Sequence, residues 1–183
     1  MFDGDDKLFK EIVSKSVNYA EYGCGDSTNW VFHKTSCNIM SVDSSQNWIN
    51  AVFDQCDKND RLKLHFSNLG DIGDWGTPLS YDFIDNFDDY FNWLWMQGIN
   101  HDVILVDGRF RVACFLTCLL HAKNGTFIIF DDYTNRRKYH IVERFLKPLK
   151  TCGRQALFVV KNDQIYDKVE IKNMINQFRV VFD

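Results

Sequence analysis

Several things are missing from this sequence, and each absence narrows what the chain can be. It has no run of about 18 apolar residues, the length needed to cross a bilayer as a helix, so no membrane span is expected. It has no internal repeat, no low-complexity tract and only two prolines, Pro78 and Pro148. With 183 residues and no obvious linker, one domain over 1–183 is expected. Basic residues are not in excess: 21 Lys and Arg face 25 Asp and Glu, for a net charge of -4. A nucleic-acid binder needs a basic face to displace counterions, so nucleic acid is not an expected partner. None of the six cysteines (24, 37, 56, 114, 118, 152) forms a C-x-x-C pair. Cys114 and Cys118 sit i,i+4 in an apolar, helix-like run, as buried small hydrophobes would. Met1-Phe2-Asp3-Gly4-Asp5-Asp6 lacks the basic and apolar regions of a signal peptide. Reduced thiols in a cytoplasmic protein are the resulting expectation.

Aromatics are abundant, at 15% of the chain with 16 Phe and 5 Trp, enough for a core and for a pocket lining. Hydrophobic spacing predicts strands at 18–22, 38–42, 62–67, 102–106, 126–130 and 156–160, with a final edge strand at 179–182. Helices are predicted over 5–16, 27–34, 45–57 (Trp48, Ile49, Val52 and Phe53 on one face), 110–122, 136–149 and 168–178. Alternation of this kind implies an α/β fold, a doubly wound and mostly parallel central sheet in a three-layer α/β/α sandwich. Ligands of such sheets bind beyond the carboxyl ends of the strands.

The first strand ends in Glu21-Tyr22-Gly23-Cys24-Gly25-Asp26-Ser27. Two glycines allow a tight turn and close approach of backbone to a ligand. Thr28 leaves the dinucleotide pattern G-x-G-x-x-G incomplete. Asp43 closes the second strand, where an acid can bond both hydroxyls of a ribose. These residues resemble the class I, Rossmann-like S-adenosylmethionine-dependent methyltransferases, in which an acid opens an E/D-x-G-x-G loop and another ends the second strand. Glu21, Gly23, Gly25 and Asp43 match, while Ser27 stands at the usual third glycine. The resemblance implies that Glu21, Gly23, Cys24, Gly25, Ser27, Asp43 and Ser44 hold S-adenosylmethionine. Asn68 and Asp71, after the third strand, would lie beside the adenine, and Asp107 near the methionine end.

The fourth and fifth strands end in Val106-Asp107-Gly108-Arg109 and Phe130-Asp131-Asp132-Tyr133. Three carboxylates converging on one edge need a cation, a shared proton or strong hydrogen bonds. Hard oxygen donors suit Mg²⁺ or another divalent cation. The layout resembles metal-dependent catechol-type O-methyltransferases, with Asp107 and Asp131 matching and Asp132 in place of an Asn. The resemblance implies a metal on Asp107, Asp131 and Asp132 that would orient a substrate hydroxyl, with Asp107 and Asp131 catalytic. Phe110 stands where that family carries a Lys. The alternative is that Asp107 meets the methionine end or a backbone amide, and Asp131 caps a helix.

Arg109 and Arg111 could grip an acidic or nucleotide-linked sugar, or pair internally with Asp107, Asp131 or Asp132. Tyr133 and His140 follow the fifth strand, His140 as a candidate general base. Residues 70–98 form an aromatic-rich insertion with Trp75 in a Gly-containing turn as its candidate pocket residue. Positions 83, 87, 90, 91 and 94 of the same insertion fit an amphipathic helix. A looser resemblance, through Asp-Gly-Arg-Phe-Arg and Asp-Asp-Tyr, is to small bacterial methyltransferase-like proteins, some in surface-polysaccharide contexts. The reading is therefore O-methylation, or less readily N-methylation, of a small-molecule or glycan-type acceptor; a homodimer is allowed. Two alternatives stand beside it: an inactive S-adenosylmethionine-binding protein of the same fold, and an NAD-dependent or nucleotide-sugar oxidoreductase.

Overall fold

A computed structural model describes residues 1–57, 59–161 and 166–183. Seven strands form one sheet in the order β3-β2-β1-β4-β5-β7-β6. They are β1 (Asn18–Tyr22), β2 (Asn38–Asp43), β3 (Leu62–Phe66), β4 (Val103–Val106), β5 (Phe127–Phe130), β6 (Lys150–Cys152) and β7 (Gln155–Val159). β1 to β5 pair in parallel, whereas β7 runs antiparallel to both β5 and β6. The helices are α1 (Lys7–Val13), α2 (Asp26–Lys34), α3 (Gln46–Gln55), α4 (Phe87–Met96), α5 (Arg111–His121) and α6 (Lys168–Phe178).

The central strands are apolar on both faces because both faces are covered. In β4, Val103 and Leu105 pack with Tyr19, Ile39, Phe9, Val31 and Val52 on the side of α1, α2 and α3. Ile104 and Val106 pack with Ala20, Met40, Leu94, Phe115 and Met174 on the side of α4, α5 and α6. The result is the expected three-layer α/β/α sandwich. All six cysteines are unpaired. Among the described residues no helix is long and apolar enough to cross a membrane.

Three sequence-based expectations are corrected. Residues 137–144 form a 3₁₀ run, not an α-helix. Tyr139, Val142 and Phe145 are all buried, and side chains three apart line up in a 3₁₀ helix. Residues 179–182 form no strand: Arg179 pairs with Asp88, and Phe182 stacks on Tyr81 at 4.6 Å. Finally, Lys150–Cys152 form a strand, β6, where the hydrophobic spacing predicts none. The hairpin β6–β7 turns at Gly153–Arg154, where Gly153 takes φ +53. Within the insertion, α4 buries Phe87, Tyr90, Phe91 and Leu94, while Phe83 remains 40% exposed outside it.

Candidate active site

Register sets the position of the site. Tyr22 pairs with Val42 and Val106, and Val106 pairs with Phe130. The residues that follow, Gly23, Asp43, Asp107 and Asp131, therefore emerge along one edge, and a cavity of about 750 Å³ opens there.

One half of the cavity is made of backbone and glycine. Gly23 has φ +92, and a Cβ on it would lie 2.9 Å from the Asp107 carbonyl oxygen and the Gly108 Cα. Only glycine lets the β1 turn pass so close to the end of β4. A Cβ on Gly25 would meet nothing nearer than the Trp48 ring at 4.0 Å, so the space beside it is free. The Cys24 amide donates to Asp43 Oδ2 at 2.8 Å, and the Ser45 amide donates to Oδ1 at 2.7 Å. Each oxygen keeps a lone pair for a further donor. Burial pushes the Asp43 carboxyl up, against these two amides. Burial, with Asp43 beside it, also pushes the Cys24 thiol up, so Cys24 contributes shape and not a thiolate nucleophile. Ser44 donates to the Gly76 carbonyl at 2.8 Å, which docks the insertion over this half. Trp75 projects from that contact, 78% exposed, with φ +58. A left-handed non-glycine residue on a cavity wall is strain of the kind found at functional sites.

Glu21 lies beneath the turn and does not line the cavity. Its carboxyl accepts from Tyr19 at 2.6 Å, from Ser27 at 2.7 Å and from Thr28. Thr28 Oγ1 in turn accepts from the Gly25 amide at 2.9 Å. This explains the hydroxyl residues at 27 and 28 where glycine patterns have Gly: both bind a buried carboxyl. Burial outweighs those donors and raises the Glu21 pKa to about 7.

The other half is a lattice of arginines and aspartates. Arg111, almost wholly buried, reaches Asp107 Oδ1 at 3.1 Å, Asp132 Oδ2 at 3.2 Å and the Asp131 carbonyl at 2.8 Å. Arg136 reaches Asp132 Oδ2 at 2.8 Å. Arg154, carried in by the β6–β7 turn, donates to Asp131 Oδ1 at 3.1 Å. Its Nη2 lies 2.7 Å from Asp131 Oδ2, an ion contact without hydrogen-bond alignment. Burial pushes the Asp107 carboxyl well up; Arg111 opposes this and neighbouring Asp131 adds to it. About a quarter (25%) of the Asp107 side chain is open to the cavity, so entering water weakens that shift.

This arrangement does not fit the divalent cation expected on Asp107, Asp131 and Asp132. Three guanidinium groups already neutralise the three carboxylates. Among the described residues no group of three or more His, Cys, Asp or Glu is placed to hold a metal.

The remaining sequence candidates divide. Arg109 lines the cavity, 8% exposed, bonded to Thr77 Oγ1 at 3.1 Å and to the Asp183 carbonyl. Tyr133 instead packs on Phe130 and Phe158, donating to Glu143 at 2.7 Å. His140 stacks on Tyr133 at 4.5 Å, its Nε2 3.0 Å from the Tyr133 carbonyl oxygen. Asn68 is exposed, accepts from the Gly70 amide, and like Asp71 is not part of the cavity wall. Among the cavity-wall residues that sequence reasoning missed are Trp48, Tyr90, Phe2 and Arg154. Trp48 sits on the helix face predicted to carry Ile49, Val52 and Phe53, and is 43% exposed.

No family model matches the chain, and no curated protein does either. Solved structures do. A methyltransferase-like protein from Silicibacter pomeroyi is 29% identical, with a TM-score of 0.81 over 94% of this chain and 92% of that one. The N-methyltransferase NodS from Bradyrhizobium japonicum, solved with S-adenosyl-L-homocysteine, is 12% identical with a TM-score of 0.53, covering 84% of each chain. The MycE methyltransferase of the mycinamycin pathway, solved with Mg and S-adenosylhomocysteine, is 13% identical with a TM-score of 0.54. This chain spans 50% of its length. The latter two likenesses speak for the fold alone. Strand order, the turn at Gly23–Gly25 and these structures together give the conclusion that this chain has the class I, Rossmann-like methyltransferase fold.

Proposed function

We propose that the cavity binds S-adenosylmethionine and directs its methyl group to an oxygen of a small, sugar-like acceptor. The observation that carries this reading is the Asp43 carboxylate. Two backbone amides hold it beside the Gly23–Gly25 turn, each oxygen ready for one ribose hydroxyl. S-adenosylhomocysteine bound in proteins of similar fold supports the choice of cofactor. Bound there, the cofactor supplies an electrophilic methyl carbon on a sulfonium sulfur.

The chain's own work is positioning. Trp48 and Trp75 at the cavity rim offer flat apolar surface, and Gly23 and Gly25 keep the floor free of side chains. Asp107, at the junction of the two halves, faces the acceptor. Its carboxyl, with Asp131 beside it, takes the proton that an acceptor hydroxyl releases as its oxygen bonds to carbon. Arg111 holds Asp107 in place. Alignment of oxygen, carbon and sulfur supplies most of the acceleration. No step runs through a metal.

Calorimetry with S-adenosylmethionine, S-adenosylhomocysteine and NAD tests the reading. The two adenosyl sulfur compounds should bind and NAD should not; binding of NAD alone would refute it. Release of S-adenosylhomocysteine over a panel of sugar acceptors then tests turnover, and should be unchanged by EDTA. Binding without turnover on every acceptor would favour a ligand-binding role for the same fold.

A further inference from the structure

One contact in the acceptor half comes from outside the lattice. Asp3 Oδ2 accepts from Arg154 Nη1 at 2.9 Å, although the Asp3 side chain is 80% exposed. Ion pairs of such exposed carboxylates contribute little to stability. The turn that delivers it places Phe2 and Asp3 in succession at φ +44 and +54, in the left-handed region that non-glycine residues seldom take. Phe2 is held independently, against Phe9 at 5.2 Å, so Asp3 can swing away without unpacking the turn. What fills the place is a carboxylate on a guanidinium at the cavity wall.

Charge explains why an anion belongs there. Arg111 is spent on Asp107 and Asp132, and Arg136 on Asp132. Arg154 gives Nε and Nη2 to Asp131, which leaves Nη1 pointing to Asp3. Three guanidinium groups thus stand on three aspartates of the cavity wall, and Asp131 is close enough to Asp107 to raise the proton affinity of Asp107. Asp3 is a fourth carboxylate on three guanidinium groups, and its exposed side chain is the one that another anion can replace at Nη1.

We propose that the acceptor is a small acid whose carboxylate or phosphate docks on Arg154 Nη1, in the place that Asp3 holds when no acceptor is bound. This rests on reading the cavity as a methyl-transfer site and narrows its substrate to anions. Arg154 is then a specificity residue, held on Asp131 by one hydrogen bond and one ion contact and presenting Nη1 to the ligand.

The test is calorimetric titration of the full chain, saturated with S-adenosylhomocysteine, by glucuronate, glucose 1-phosphate and neutral glucose. Both acids should bind at least about tenfold more tightly than glucose, as a charge-assisted hydrogen bond allows. The tighter of the two identifies the anion as carboxylate or phosphate. Arg154→Gln should remove that advantage while S-adenosylhomocysteine affinity stays within about twofold. Arg154→Lys should keep part of it. Asp3→Asn should strengthen acid binding by about two- to fivefold by removing the competitor. Glucose binding as well as the acids, Arg154→Gln retaining acid affinity, or Asp3→Asn leaving it unchanged would each overturn the proposal. Should Arg154→Gln fail to fold, the Lys variant and Asp3→Asn decide. If S-adenosylhomocysteine does not bind at all, the methyl-transfer reading fails instead, and the same acids and variants, without it, still judge the anion site.

Discussion

The two halves of the cavity are built differently. Around Gly23, Gly25 and Asp43 the wall is backbone, fixed by strand register and by amides that cannot move unless the sheet moves. Around Asp107, Asp131 and Asp132 it is a mesh of side chains, supplied by segments as distant as Arg111 and Arg154. The first half suits a ligand of constant shape. The second suits the part that selects the acceptor on the proposed reading, because Arg154, at the hairpin turn, can be substituted with the strands left in register. On the proposed reading, fold and partner choice are thereby separated within one cavity.

The largest effects should come from breaking each half at its most buried point. Arg111→Met leaves Asp107 and Asp132 short of a buried cation and should cost about 3–5 kcal/mol in urea unfolding, as removal of one member of a buried ion pair does. Gly23→Ala forces a Cβ against the Asp107 carbonyl at positive φ and should cost about 1–3 kcal/mol, with S-adenosylhomocysteine binding lost. If Gly23→Ala bound the ligand normally, the backbone half would not be the cofactor site.

A pH series sharpens the same contrast. Glu21, with an ordinary pKa of 4.5, has one of about 7 in the folded protein. Between those values the folded state holds a proton that the unfolded state has released, so stability falls as pH rises from 4.5 to 7. The fall attributable to this group is on the order of 3 kcal/mol and should vanish in Glu21→Gln. An undiminished slope in that variant would show that the three hydroxyl donors already hold Glu21 ionised. The smallest stability change belongs to Trp75→Gly. It should stay within about 0.5 kcal/mol by thermal unfolding, since the ring is exposed and its φ suits glycine. Cofactor affinity should nonetheless fall several-fold if the ring covers the ligand.

The backbone half was legible in the sequence because strand ends announce it. Glu21, Gly23, Gly25 and Asp43 stand where short apolar runs stop, and parallel register delivers those stops to one edge. Asp107 and Asp131 were legible as strand-end acids for the same reason, but their chemistry was not. Three converging carboxylates read as a divalent-cation site in sequence, whereas in the fold Arg111, Arg136 and Arg154 stand on them. Nothing local marks Arg154: it follows a glycine in a hairpin, where an arginine reads as solvent-facing. Trp48 failed in the opposite sense. Its helix is amphipathic, and periodicity cannot tell a ring facing the core from one facing a cavity at the helix's first turn. The 136–149 segment misled because three buried residues at spacing three look like a loose α-helical stripe, when they mark a tighter helix.

The pairing of Asp3 with Arg154 joins residues 151 positions apart. Contacts of such separation close late, after the local units have formed. A chain emerging during synthesis would have its glycine turn and its first five strands available before the hairpin bearing Arg154 exists. On the proposed reading such a chain takes up its cofactor while Arg154 is still absent from the acceptor wall, and choice between acidic and neutral acceptors is the last property the molecule acquires.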